Sequence, residues 1–108
     1  MKEKVFLLNT FSPSMIEEGQ ALIKLVDEDW FTEQLRKGFI SAVSHKNTAE
    51  ILSKRLDVPV EFNRENIQLR PYDIALIAVP QVRFDFAREY SSAEIQSAKF
   101  KFYLVMIS

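Results

Sequence analysis

The sequence predicts an α/β protein: a single compact domain whose mixed sheet of about five strands is packed by helices. Two features support this class. Short apolar runs without a polar break, such as residues 5–8 and 74–79, are typical of strands that are covered on both faces. Amphipathic stretches with helical spacing alternate with these runs. A chain of 108 residues can build one core, so we expect residues 1–108 to form one domain.

Each predicted element has its own local signal. The predicted strands cover residues 4–8, 20–26, 39–43, 73–79 and 100–107. After the first strand, Ser12 offers a helix cap and Pro13 a preset first helical position, which predicts a short turn that ends at Gly19. Lys24 interrupts the second strand, whereas residues 74–79 form the most apolar strand of the chain and precede Pro80.

Three segments are predicted to be helical. Acids at 27–29 and bases at 36–37, followed by Gly38, suit the two ends of the first long helix. The second helix, over about 47–56, places four side chains on one face: Thr48, Ile51, Leu52 and Leu56. The segment Ser91–Glu94 has the pattern of a capping box, which predicts a short third helix before the last strand.

The segment 57–69 has a different pattern. Apolar side chains at 58, 60 and 62 alternate with polar ones, and the alternation resumes at 67 and 69 beyond a polar stretch at 64–66. Alternation of this kind is typical of strands with one solvated face. We therefore expect an edge hairpin over residues 57–69.

Composition limits the classes of function. The net charge is −1, which argues against general affinity for duplex nucleic acid. The chain has no cysteine, and no apolar run approaches the roughly 18 residues of a membrane span. Residues 1–4 lack the pattern of a signal peptide. We therefore expect a cytoplasmic protein without a membrane partner.

The only histidine of the chain is the first candidate for chemistry. His45 follows the apolar run 39–43 and precedes the helical pattern that opens at Asn47. Backbone N–H groups converge at such a junction and can hold a phosphate, and an imidazole there can act as a general acid or base near neutral pH. The alternative interpretation is a hydrogen-bonded turn residue.

Further candidates lie near the ends of other predicted strands. Arg83 follows the most apolar strand, where it could clamp a phosphate, or it could be a surface residue of a charged loop. Asn9 and Ser12 could donate to a phosphate or could serve only as turn and cap. One histidine, scattered acids and no cysteine do not make a ligand set, so we expect no metal and no cofactor.

The order of these motifs resembles one family. A first strand followed by Asn9-Thr10-Phe11-Ser12, then Ser44-His45-x-x-Thr48, Gln81-Val82-Arg83 and Ser91-x-x-Glu94-Ile95, is similar to the viral ring nucleases, also called type III anti-CRISPR ring nucleases. The resemblance spans nearly the whole chain. It implies a compact α/β homodimer that cleaves cyclic tetra-adenylate without a metal, and a small mobile-element or phage member of the family.

The resemblance also implies roles for individual residues. His45 would be the principal catalytic residue, a general acid for the 5′-oxygen leaving group while the neighbouring ribose 2′-hydroxyl attacks phosphorus. Arg83 would bind the reacting phosphate. The implied ligand contacts come from a second set: Asn9, Ser12, Lys46, Thr48 and Gln81.

The sequence departs from the family pattern at two positions. Well-studied members have Asp directly after the His, where this chain has Lys46, and Glu three positions after the Arg, where it has Phe86. Asp85 is the nearest acid. Lys46 would attract phosphate but would also disfavour protonated His45. Arg88 competes with Arg83 for the phosphate, since both lie in one loop.

Three functions therefore stand as hypotheses at the level of sequence. The first is a ring nuclease that cleaves cyclic tetra-adenylate to linear di-adenylate and so counters type III CRISPR signalling. The second is a non-catalytic protein of the same fold that binds the cyclic oligoadenylate. The third is an interaction module without a nucleotide ligand. A homodimer is expected for the first two, because a twofold axis makes every contact with a symmetric ring twice.

Overall fold

A computed structural model describes residues 4–85 and 87–108. Its elements follow the chain as β1 (Val5–Leu8), a 3₁₀ turn (Pro13–Met15), β2 (Ala21–Val26), α1 (Glu28–Arg36), β3 (Ile40–Ser41), α2 (Lys46–Leu56), β4 (Ile74–Pro80), α3 (Ser92–Ser97) and β5 (Phe100–Ile107). The five strands form one sheet in the order β2-β5-β4-β1-β3. The predicted α/β class with a mixed sheet of five strands is confirmed.

The direction of the strands decides where polar side chains can meet. Strand β1 is parallel to β3 on one side and to β4 on the other, whereas β5 is antiparallel to both β4 and β2. The carboxyl ends of β1, β3 and β4 therefore lie at one edge of the sheet. In open α/β sheets, ligands bind outside this edge.

The helices pack on one face of the sheet, which we call the helix face. Its core includes Phe31 and Leu35 of α1, Leu52 and Leu56 of α2, and Phe102 of β5. The Asp27 side chain begins α1 by accepting the Trp30 N–H at 2.8 Å, as the acids at 27–29 predict. Because the apolar positions of α1 and α2 recur at helical spacing, each helix buries one stripe here.

The opposite face, which we call the open face, has another kind of cover. Its buried residues on β4 and β5 include Ala75, Ile77 and Val105, and Leu69 packs against them. Within the described residues, the cover comes from side chains of the segments 11–16 and 67–69 rather than from an α-helix. This face is thus less completely covered than the helix face.

A buried arginine joins the three helices. The Arg55 guanidinium of α2 makes two hydrogen bonds of 2.9 Å with the Glu28 carboxylate of α1, and it donates to the Ile95 carbonyl of α3 at 2.9 Å. Its side chain is only 10% exposed. Paired, bidentate geometry lets this charge remain buried. The cluster fixes α3 and, with it, the start of β5.

The predicted edge hairpin over 57–69 is wrong. Phe62 makes an isolated parallel bridge with Val43, and Leu69 makes one with Ile16. The Asn63 side chain also donates to the Ser41 carbonyl at 2.7 Å. The first half of the segment thus pairs beside β3 and the second half pairs with the residue after the 3₁₀ turn, so the two halves do not pair with each other. Local alternation cannot reveal this, because a strand's partner is a tertiary choice.

Two smaller boundaries also differ from the prediction. Strand β3 has two residues, Ile40–Ser41, instead of the predicted 39–43. Helix α2 begins at Lys46, one residue before the predicted start, and Thr48 is half-buried while Ala49 is buried. No helix among the described residues is long and apolar enough to cross a membrane.

Candidate functional site

The edge of the sheet at the carboxyl ends of β1, β3 and β4, which we call the polar edge, brings the predicted motifs together. Asn9 follows β1 directly, Ser44 and His45 follow β3 and precede α2, and Gln81 follows β4. Because these three strands are parallel, their following residues reach the same edge. Tertiary structure therefore unites segments that are about 35 residues apart in the chain.

A hydrogen bond joins the first two motifs. The Ser44 backbone N–H donates to Asn9 Oδ1 at 3.3 Å, a long but geometrically acceptable bond. Asn9 and Ser44 also line a cavity of about 310 Å³, together with residues 65–68. The amide of Asn9 therefore holds the turn that carries His45. The two roles considered for Asn9, turn residue and ligand contact, are compatible, because its side chain is only half-buried.

His45 lies at the start of α2. It is the N-cap residue, with an extended backbone (φ −125°, ψ 129°), and its side chain does not cap the helix. It is exposed, as is Lys46 in the first turn. The first turn of α2 contains no acid, so the positive end of the helix dipole is not neutralised within the helix itself. An exposed imidazole at this position suits an anionic ligand.

Thr48 and Arg83 both line an apolar cavity of about 250 Å³, with Phe84 and Phe100 in its wall. The Arg83 side chain is exposed, and within residues 4–85 and 87–108 it makes no hydrogen bond or ion pair. A guanidinium in this state keeps all its donors available for a phosphate. The edge therefore offers a cation beside the first turn of α2.

The competing arginine is already engaged. The Arg88 guanidinium forms an ion pair with the Glu94 carboxylate and lies over the Tyr90 ring, 4.5 Å from its centroid. The Ser91 backbone N–H donates to the Glu94 carboxylate at 3.0 Å. That hydrogen bond lowers the pKa of Glu94, and Arg88 lowers it further. Binding a ligand through Arg88 would require this cluster to open.

Two predicted residues have local partners instead. Ser12 caps the 3₁₀ turn: its Oγ accepts the Ser14 N–H at 3.4 Å and lies 3.0 Å from the Ser14 hydroxyl. Gln81 donates from Nε2 to the Val79 carbonyl at 3.2 Å. Ser12 therefore caps a turn, which is one of the two roles that the sequence suggested for it. Neither Ser12 nor Gln81 is buried.

Asp85, the acid nearest to the position where the family pattern has Glu, has a local partner. Asp85 accepts the Ala87 N–H at 3.0 Å and so shapes its own loop. Phe86, which stands at the expected Glu position, lies outside the described residues. Within residues 4–85 and 87–108, no three side chains of His, Asp or Glu form a group that could hold a metal ion.

Sequence reasoning missed one part of the site. Residues 65–68 line the cavity beside Asn9, but the sequence interpretation assigned them to a solvated hairpin. The polar stretch Arg64-Glu65-Asn66 was the only available signal. Its approach to β1 depends on the hydrogen bond from the Leu69 N–H to the Met15 carbonyl, at 2.6 Å.

Fold and site together define a small α/β protein with a polar, partly cationic edge beyond three parallel strands. The family described as STIV B116-like matches residues 5–102. The chain therefore belongs to the STIV B116-like family.

Two relatives are viral proteins. "Uncharacterized protein ORF116" of Acidianus filamentous virus 1 is 25% identical over 109 residues, which cover 94% of each chain. B116 of Sulfolobus turreted icosahedral virus has a solved structure that matches with a TM-score of 0.82 and 29% identity, over 95% of this chain and 98% of that one. The predicted kinship with a viral family is confirmed. Neither description names an activity, so the ring nuclease assignment stays a prediction.

Proposed function

We propose that this protein is a metal-independent ring nuclease that cleaves cyclic tetra-adenylate to linear di-adenylate and thereby counters type III CRISPR signalling. The observation that carries the proposal is the convergence at the polar edge. Asn9 holds the turn before His45 through the Ser44 N–H, and Thr48 shares a cavity with Arg83. The proposed general acid, at the start of α2, and the proposed phosphate-binding cation, after β4, thus follow strands whose carboxyl ends share one edge.

The proposed reaction needs only these groups. The ribose 2′-hydroxyl attacks the adjacent phosphorus, its proton passes to solvent, and the P–O5′ bond breaks to leave a 2′,3′-cyclic phosphate. His45, in its protonated form, gives a proton to the departing 5′-oxygen, a step that supplies about 10²- to 10⁴-fold in rate. Arg83 binds the charge that develops on the phosphate oxygens. Asn9, Ser12, Lys46, Thr48 and Gln81 are the proposed ligand contacts.

A homodimer belongs to this proposal. One ring presents four phosphates in rotational symmetry, and a twofold pair of subunits would offer it two copies of His45 and Arg83. The exposure of both side chains at one edge makes them accessible to a ligand that spans two subunits.

The decisive experiment is incubation of the purified protein with cyclic tetra-adenylate in EDTA, with products resolved by chromatography. We expect linear di-adenylate with a cyclic phosphate end. His45→Ala should lower the single-turnover rate at least about 100-fold, because the general acid is lost, while ligand affinity changes little. Normal turnover by His45→Ala would eliminate the mechanism, provided that its thermal unfolding matches that of the wild type.

The second candidate is a binder that sequesters the ring without cleaving it. Lys46 directly after His45, where the family pattern has Asp, favours this alternative. Phe86 at the expected Glu position favours it as well. Tight binding of cyclic tetra-adenylate with no product after prolonged incubation would select the binder, and absence of binding would refute both candidates.

A further inference from the structure

The apolar cavity beside Arg83 has the shape of a small-molecule site. Its volume is about 250 Å³, and its wall is formed by α2, by the end of β4 with the residues that follow it, and by the start of β5. Two of its lining residues are buried, Ile51 at 8% and Leu52 at 1% exposure, whereas Val82 is 46% exposed. The cavity therefore has a buried apolar floor and an exposed rim, as ligand pockets commonly do.

The aromatic wall of this cavity is fixed by the rest of the fold. The Phe84 and Phe100 ring centroids are 6.1 Å apart, and Phe84 meets the edge of the Tyr90 ring with centroids 5.1 Å apart. The Arg55 guanidinium, which is bound to Glu28, lies 4.9 Å from the centroid of Phe100. Because these contacts already hold the wall in place, little order has to be created when a ligand enters.

The polar groups of the cavity are few. Among the described residues that line it, Arg83 alone is charged and Thr48 alone carries a side-chain hydroxyl. Arg83 is exposed, and its donors are available, as described above. A guanidinium presents a planar fork that binds a carboxylate through two parallel hydrogen bonds. The cavity thus combines an apolar interior with one cation near its rim.

We propose that this cavity binds a small aromatic acid, a flat ligand of one or two rings whose carboxylate pairs with Arg83. An apolar cavity of about 150 Å³ is sufficient for benzene, so a cavity of about 250 Å³ accommodates two fused rings. Phe84 and Phe100 offer such a ligand the edge and face contacts that aromatic rings prefer. An aliphatic acid of similar size binds less well, because it loses more internal rotation.

A neighbouring cavity is less suitable for the same ligand. It has a volume of about 330 Å³ and shares Ile51, but two acids, Glu50 and Glu89, line it together with two bases, Lys54 and Arg88. A carboxylate in that cavity would meet like charges, which disfavour binding. Its Arg88 is already in an ion pair. Charge therefore favours the cavity beside Arg83.

One consequence rests on the proposed function. Arg83 is also the proposed phosphate contact for cyclic tetra-adenylate, so a carboxylate and a phosphate would compete for one guanidinium. A bound aromatic acid should then weaken ring binding by about tenfold, the loss expected when this charge-assisted contact is removed. Small aromatic acids would thus act as competitive inhibitors of ring binding.

Titration of naphthoate into methyl-labelled protein, followed by NMR, tests the site without any nucleotide. We expect saturable shifts of the methyl groups of Thr48, Ile51 and Val82, which line the cavity. Ile67 and Ile23 line two other cavities and serve as controls that should not shift. Absence of saturable shifts up to about 5 mM, or shifts at Ile67 or Ile23 instead, would overturn the proposal.

Two comparisons test the pairing with Arg83. Naphthamide has the same rings without the charge, and it should bind the wild type about tenfold more weakly than naphthoate. In Arg83→Gln the two probes should bind equally, whereas Arg88→Gln, at an exposed arginine of the same loop, should keep the wild-type difference. Equal binding of both probes to the wild type would overturn the proposal, and so would octanoate binding as tightly as naphthoate.

A competition experiment separates this site from the proposed function. Non-hydrolysable cyclic tetra-adenylate is titrated by calorimetry with and without saturating naphthoate, and its affinity should fall about tenfold. Undiminished ring affinity in saturating naphthoate would overturn the shared contact at Arg83. A protein that binds naphthoate at the cavity but binds no ring would refute the proposed function alone.

Discussion

The identity of the phosphate-binding arginine gives the sharpest prediction. Arg83→Ala should weaken binding of a non-hydrolysable cyclic tetra-adenylate, because it removes a charge-assisted hydrogen bond. Such a bond is worth about 1.5–3 kcal/mol, which corresponds to a loss of affinity of roughly 10- to 150-fold. Arg83 is exposed, and solvent screens exposed charges, so we expect the lower end, about tenfold.

The structure supplies a matched control in the same loop. Arg88 is an exposed arginine whose guanidinium is held by Glu94 and Tyr90. Arg88→Ala should leave affinity within about twofold of the wild type, because no ligand contact is lost. Arg83→Lys should restore only part of the affinity, since an ammonium lacks the planar fork of a guanidinium.

Calorimetric titration at two salt concentrations measures these affinities. The difference between wild type and Arg83→Ala should shrink at high salt, because a charged contact is being lost. If Arg88→Ala weakens binding and Arg83→Ala does not, the assignment of the phosphate contact is wrong. If neither changes the affinity, the loop 83–89 does not bind phosphate, and the family correspondence in this loop fails.

Two further predictions concern stability. Gly19→Ala should lower the free energy of unfolding by more than Gly38→Ala does. Both glycines have a positive φ, which costs an alanine about 1–3 kcal/mol. Only at Gly19 would the added Cβ also clash with a carbonyl oxygen, that of Ser108. Equal shifts in urea midpoint would contradict the argument. Glu94→Gln should lower Tm at neutral pH but not in acid. The pKa of Glu94 is lowered in the folded state. The ionised carboxylate therefore stabilises the fold at pH values above its unfolded-state pKa, and this stabilisation disappears as the pH falls through its folded-state pKa. A Tm difference that is the same at all pH values would contradict it.

Local signals predicted most of the elements. The apolar run 74–79 correctly predicted a central strand. This strand is covered by helices on one face and by the segments 11–16 and 67–69 on the other, so neither face needs polar side chains. The capping box of α3 formed as its pattern indicates, with Ser91 and Glu94 each binding the other's backbone N–H. Such signals are reliable because donor and acceptor lie within one helical turn.

The candidate site was predictable as a set of residues but not as an arrangement. His45 and Asn9 were identified from sequence, yet the bond from the Ser44 N–H to Asn9 exists only because β1 and β3 are parallel neighbours. Likewise, the charges of the loop 83–89 did not distinguish Arg83 from Arg88. That distinction depends on the packing of Glu94 and Tyr90.

The sequence by itself determined the α/β class and the approximate position of the five sheet strands. It also singled out His45, the one histidine of the chain, as a candidate for chemistry. Only the tertiary structure decided that residues 57–69 pair with two separate segments of the chain, that Ile23 of β2 is exposed, and that Arg83 keeps its donors available. The physical reason is the distance along the chain over which each kind of interaction acts. Periodicity and caps act within a few residues, whereas a strand's partner and a side chain's exposure depend on segments far along the chain.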